Sequence, residues 1–164
     1  MALNKKKKKK KGKKPSHSNI IARNKKAFSD FFILDSYEAG IELWGVEVKS
    51  VREHRVNLKD SYARIKSGEL FLNNMHISPY ANSRIEDMDP KRSRKLLMQR
   101  REIDRLMGKL TDKSLTLVPL KLYFKKNRVK VEIALAKGKN RRDKRRDIIE
   151  KEHSREINKA LKKY

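Results

Sequence analysis

The sequence predicts a mainly β fold with helices. The first choice is a small antiparallel barrel of the oligonucleotide-binding (OB) type, with about six strands and two or three flanking helices; a sandwich is second. Three observations carry this. Short segments of period-two hydrophobicity recur through the middle of the chain, and tight polar turns join them in pairs. A middle of about 115 residues is large enough for one core. Antiparallel strands this short usually close on themselves, which removes their edges.

The elements follow in order. From Ala27 the pattern turns β, and FFIL (31–34) is a short apolar run. In GIELWGVEV the apolar parity flips at Gly45: Ile41 and Leu43 fall on one face, Trp44, Val46 and Val48 on the other. Such a flip marks a bulge or a strand end, because the side-chain period is two. Val48 and Val51, three apart, suit one or two helical turns through EVKSVRE. SYARI and LFLNNMHI, separated by KSGE, form a β-hairpin in which Gly68 supplies the positive φ of the turn.

The polar ANSRIEDMD reads as a loop, and Asp89 before Pro90 as the N-cap of a long helix with Pro at its first position. Leu96, Ile103, Leu106, Met107 and Leu110 then mark a helical stripe. A second hairpin pairs SLTLVPLKLYF with RVKVEIALA across KKN, with Pro119 at an edge or bulge. Val129, Val131, Ile133 and Leu135 alternate with polar or small residues, so one face of that strand is buried. Trp44 and Val48 are expected in the core, with Glu47 and Lys49 structural.

The 164-residue chain has a formal charge of +25, so an anionic partner is the default expectation. The charge is unevenly spread. Residues 1–19 carry nine Lys and no acid; residues 20–136 have a net charge of +9, and residues 137–164 a net charge of +7. Three regions are therefore expected: a disordered Lys-rich arm (1–19), a folded domain (20–137), which the resemblance given below makes RNA-binding, and a basic tail (138–164). There is no Cys for disulfide or thiolate chemistry. No apolar run approaches the ~18–20 residues of a membrane span, and no apolar segment follows the basic start as in a signal peptide. A cytoplasmic, membrane-free monomer is expected.

Catalytic chemistry finds little support. His17, His54, His76 and His153 show no metal-ligand spacing, and a strand histidine such as His76 is more often packed or half-exposed than a ligand. EDMD (86–89) reads as helix-capping acids, not as a metal cluster. AKGKN has one Gly and makes no phosphate cradle. No cofactor, metal or enzymatic activity is expected; an RNA-cleaving enzyme using His76 with a Lys is the rival on that side.

The segments YEAGIELWGVEVKSVR, KDSYARI, RSRKLL, LKLYFKKNRVKVEIALAKGK and DKR together resemble the SsrA-binding protein (small protein B) family, over about residues 24–146. The resemblance implies a bacterial RNA-binding protein that escorts transfer-messenger RNA, through its tRNA-like domain, to stalled ribosomes for trans-translation. It implies a C-terminal tail, disordered when free, that becomes helical in the empty messenger channel near the small-subunit decoding centre. On this chain the tail residues concerned are Gly138, Lys139, Arg142, Asp143, Lys144 and Arg145. Asn140 stands where the family often has Lys, and Arg142 where an aromatic or His is common; a guanidinium also stacks on bases. The alternative is a ribosomal protein or an initiation-factor-like OB-fold module.

A folded RNA is read by shape, charge and stacking. The groups suited to this are Asn24 and Lys25 in the first strand region, and Arg92, Arg94 and Lys95 at the start of the predicted long helix, whose dipole favours phosphate. Lys121, Tyr123, Lys125, Lys130 and Lys137 belong to the second hairpin, where Tyr123 among lysines suits a stacking platform. Glu38, from the EAG motif, joins this face by the resemblance, where a carboxylate can accept from a base amino group or orient a neighbouring Arg; the residues alone equally allow a turn residue before Gly40. In the tail, Asp143, Asp147, Lys151, Arg155 and Lys159 step by four, acids first and bases last, as i,i+4 pairing and the helix dipole favour. Ile157, Ala160, Leu161 and Tyr164 give only a thin apolar strip, so this helix is expected to be marginal alone and to order as RNA neutralises its bases.

Overall fold

The computed structural model describes residues 19–80 and 89–161. Nine strands are present among them: β1 (Ile20–Arg23), β2 (Phe31–Ile41), β3 (Val56–Asn57), β4 (Tyr62–Lys66), β5 (Glu69–Asn73), β6 (His76–Ile77), β7 (Arg94–Leu97), β8 (Leu115–Lys125) and β9 (Arg128–Gly138). Four helices accompany them: α1 (Lys25–Asp30), α2 (Gly45–Arg52), α3 (Arg100–Lys109) and α4 (Arg141–Leu161). Neighbours in the main sheet run β8-β4-β5-β7-β2-β9, and β9 pairs back to β8, so six antiparallel strands close a ring with β1 added outside on β8. The predicted closure is met. β3 and β6 form a separate two-stranded ribbon that contains the half-exposed His76.

Both hairpins form where local chemistry predicts them. Ser67 and Gly68 (φ 51° and 73°) turn β4 into β5, and Lys126 and Asn127 (φ 47° and 62°) turn β8 into β9. Two successive left-handed residues twist the turn as the strands require. Pro119 sits at a register shift in the β8–β9 ladder, where its missing N–H is tolerated.

The core fills the ring with Leu70, Leu72, Leu96, Leu117, Leu122, Val131, Ile133 and Leu135. The small residues alternating along β9 have a use of their own. Ala134 and Ala136 are buried with Val118, Leu120 and Ala27 in a second cluster beneath α1. Alanines there allow the helix to lie close, so β9 is covered on both faces along that stretch.

Four expectations are corrected. The first is the onset of the β pattern, expected from Ala27: Ile20–Arg23 is already a strand, and Ala27 lies in the helix Lys25–Asp30. The second is the long helix from Pro90. Residues 94–97 are instead strand β7, which pairs with β5 on one side and β2 on the other. Tertiary pairing outweighs helix preference here, because this strand closes the ring; Leu96 belongs to its period and only Ile103 and Leu106 of the stripe are buried in α3. The third is the parity flip at Gly45, which marks the first residue of α2, the strand having ended at Ile41. The fourth is Trp44, which is 50% exposed. The arm and the acids at 86–88 lie outside the described residues, as does Tyr164. Asp89 is described, and it caps a turn by accepting from the Lys91 N–H at 2.8 Å.

Candidate nucleic-acid interface

The β2–β9 ladder organises the predicted RNA-binding residues. Its register runs from Gly40 opposite Lys130 to Phe31 opposite Gly138. Eight residues of extended chain separate those ends by about 27 Å.

At the first end, Glu38 is the centre of a cluster. It accepts from the Tyr123 hydroxyl at 2.6 Å and from the Lys125 ammonium at 2.8 Å through both oxygens. Lys125 above all, then Tyr123, hold its carboxyl below the usual glutamate range against a modest opposing effect of burial. Burial and Glu38 push the Tyr123 phenol well above its ordinary value, so it stays a donor. Lys130 lies opposite Tyr123 in the β8–β9 register. Lys121 pairs with Glu132 at 2.7 Å and lies 5.6 Å from the Tyr123 ring centroid.

Beside this cluster runs a groove of about 470 Å3 lined by Leu43, Val48, Leu97, Phe124, Arg128 and Lys130, among others. Leu97 is 52% exposed on β7, whereas Leu96 points inward. A Cβ at Gly40 would lie 3.2 Å from the Leu97 Cβ, so a side chain at 40 would crowd Leu97. Its exposure follows from strand parity in β7, where it alternates with the inward Leu96, a period the helix expected from Pro90 does not have.

Three predicted contacts change role. Arg94 is 1% exposed. Its guanidinium donates to Glu47 at 2.8 Å and to the carbonyls of Met75 (2.6 Å), Arg92 (3.0 Å) and Pro90 (3.0 Å), so it holds the fold and shows no charge to a ligand. Asn24 is buried, caps α1 by accepting from the Ala27 N–H, and donates to Leu58 O and Pro119 O, each at 3.1 Å. Tyr123 is 5% exposed, which removes its ring as a stacking platform. Arg92 and Lys95 are no helix start: Arg92 binds Glu47, and Lys95 pairs with Glu69 across the β5–β7 ladder. Lys25 and Lys137 are exposed, the first at the start of α1 and the second towards the far end of β9.

Glu47 is the buried counterpart of Glu38. It receives Arg92 at 3.0 and 2.5 Å, Arg94 at 2.8 Å and the Trp44 N–H at 2.8 Å. Burial pushes its pKa up, but those donors outweigh it and hold the carboxyl below its ordinary range.

At the far end of β9 the chain enters α4. The Lys139 N–H donates to Asp30 O at 2.8 Å, and its ammonium reaches Asp147 at 2.5 Å and Phe28 O at 3.1 Å. Lys144 pairs with Asp30 at 2.8 Å. Lys139 and Lys144 are thus engaged at the root of the helix. Arg141, Arg142, Arg145 and Arg146 are exposed, and so are Ile148 and Ile149. Asp143 accepts from the Asn140 N–H at 3.1 Å and caps the first turn. The tail is helix α4, tied at its root by the Asp143 cap and by the Lys139–Asp147 and Lys144–Asp30 ion pairs.

Among the described residues, no group of three or more His, Cys, Asp or Glu is placed to hold a metal, and no helix is long and apolar enough to cross a membrane.

The chain is similar to known proteins in sequence and in fold. The family model described as SmpB protein matches residues 21–163. The SsrA-binding protein of Carboxydothermus hydrogenoformans is 59% identical over 143 residues, covering 87% of this chain and 96% of that protein. That of Caldicellulosiruptor bescii is 52% identical over 151 residues, covering 92% and 96%. A solved chain from "tmRNA-SmpB: a journey to the center of the bacterial ribosome" superposes with a TM-score of 0.63 at 45% identity, over 77% of this chain and 93% of that one.

Proposed function

The chain belongs to the SmpB family, and from that premise we propose how it divides its work. It binds transfer-messenger RNA and serves trans-translation on the ribosome. Its folded domain grips the tRNA-like part of that RNA with the face built from Glu38, Lys125, Lys130 and Leu97. The tail enters the empty messenger channel near the decoding centre, presenting Arg142 and Arg145 along with Arg141 and Arg146. The domain division at 137/138 follows the same line, and the work is done in the cytoplasm without catalysis.

The observation that carries this reading is the separation of the two charged regions along β9. One end presents an oriented lysine cluster beside an apolar groove, and the other launches a helix with four exposed arginines in its first two turns. Ends about 27 Å apart along β9 allow the domain to hold a folded RNA at one and reach elsewhere from the other. Removing residues 140–164 should leave RNA affinity within about twofold at high salt, where the tail's nonspecific attraction is screened, and abolish tagging on stalled ribosomes. Full tagging by the truncated protein would refute the division. Incubation with labelled RNA should yield no cleavage products.

A further inference from the structure

We infer that Trp44, pinned by Arg92, is a stacking site for one unpaired base of the bound RNA, at the rim of the Leu97 groove. The inference rests on the RNA-gripping role proposed above and adds a contact to it. Trp44 is the only tryptophan in the chain, and it is half exposed on a domain that buries smaller apolar groups completely. Indoles are highly buried on average, so an exposed one is informative.

Three features make it more than a stray surface residue. The Arg92 guanidinium lies 4.1 Å from the ring centroid, within the range of a favourable cation–π contact. Arg92 is itself fixed from behind by two hydrogen bonds to the buried Glu47, and Glu47 also takes the Trp44 N–H. Backbone and ring are therefore held by one carboxylate. A side chain already immobilised loses little entropy when a base stacks on it.

Position supplies the occupant. Leu43 lines the groove immediately before Trp44, and Val48, one helical turn on, lines it too. Trp44 thus adjoins the groove through Leu43 before it and Val48 one turn on, whose N–H donates to the Trp44 carbonyl at 3.0 Å, and the cation against its ring is Arg92. A half-exposed aromatic face backed by a cation, on a basic protein of an RNA-binding family, suits a nucleobase, because stacking accepts any base.

The single tryptophan makes the test direct. The transfer-messenger RNA tRNA-like domain is titrated into the full chain, with binding followed by filter retention and Trp44 emission read in parallel. Emission should change in step with binding, and acrylamide quenching should fall at saturation. Trp44→Leu should weaken binding roughly tenfold, with the salt slope and thermal midpoint unchanged; Trp44→Phe should fall between. Unchanged emission and acrylamide access at saturation, or wild-type affinity in Trp44→Leu, overturns the inference and leaves the gripping role standing. A lowered midpoint with unaltered affinity also overturns it, by making the indole structural. Shielding by ribosomes alone, without the RNA, overturns it in favour of another partner. No binding by the wild-type chain would take both readings down.

Discussion

Glu38 and Glu47 stand nine residues apart, each among basic and aromatic side chains, and do opposite things. Glu38 is exposed at a strand surface and orients Lys125 towards solvent while receiving the Tyr123 hydroxyl. Glu47 is buried and draws Arg94 inside the ring's outer layer, where the remaining donors satisfy backbone carbonyls. One cluster displays charge and the other consumes it. A count of basic residues cannot separate the two, and only burial shows which arginines remain to meet an RNA.

The comparison is most readily broken at Glu47. Glu47→Ala leaves Arg94 as an uncompensated buried charge, which should cost about 3–5 kcal/mol of stability, seen as a large drop in the denaturation midpoint. A loss under 1 kcal/mol would mean that the buried cluster is not a structural tie.

Acid should dissect the same tie. Glu47 is depressed, so the stability it contributes is complete above the unfolded glutamate pKa of about 4.3 and is lost as pH falls through its lower folded value. The wild type should therefore weaken progressively below about pH 4.5, and Glu47→Gln should be less stable at neutral pH with a flatter profile through that window. Parallel profiles would exclude Glu47 as the responsible group. Glu38 is shifted in the same direction but is solvent-screened, and its share should be small.

At Glu38 the expected effects invert. Glu38→Gln should cost under about 1 kcal/mol of stability, as exposed pairs do. It should nevertheless weaken RNA binding by about three- to tenfold, although it removes a negative charge from a basic face, because Lys125 loses the partner that orients it. Tighter binding would reduce Glu38 to a source of repulsion.

The same contrast explains what could be read from the sequence. The two hairpins were legible because turn and alternation lie within a few residues, at Ser67-Gly68 and Lys126-Asn127. β7 was not, since Arg94–Leu97 is a strand only through partners far away in sequence, Leu70 and Leu72 on one side and Gly40 and Ile41 on the other. Reading it as helix moved Arg94 to a surface it does not occupy and concealed the exposure of Leu97. The six residues of α1 are too few for a periodic signal, and their start is fixed by Asn24, whose bonds to Leu58 and Pro119 are equally remote. Glu38 and the tail motif were found through resemblance, which carried their position but not the bonds that set their roles.

The central claim is that the displayed lysines, not the buried arginine, meet the RNA. Its most direct test is the salt dependence of RNA binding by Lys125→Ala/Lys130→Ala. The slope of log affinity against log salt should become shallower by about 1.5 to 2, with the thermal midpoint close to that of the wild type. A slope identical to that of the wild type would place the grip elsewhere on the molecule.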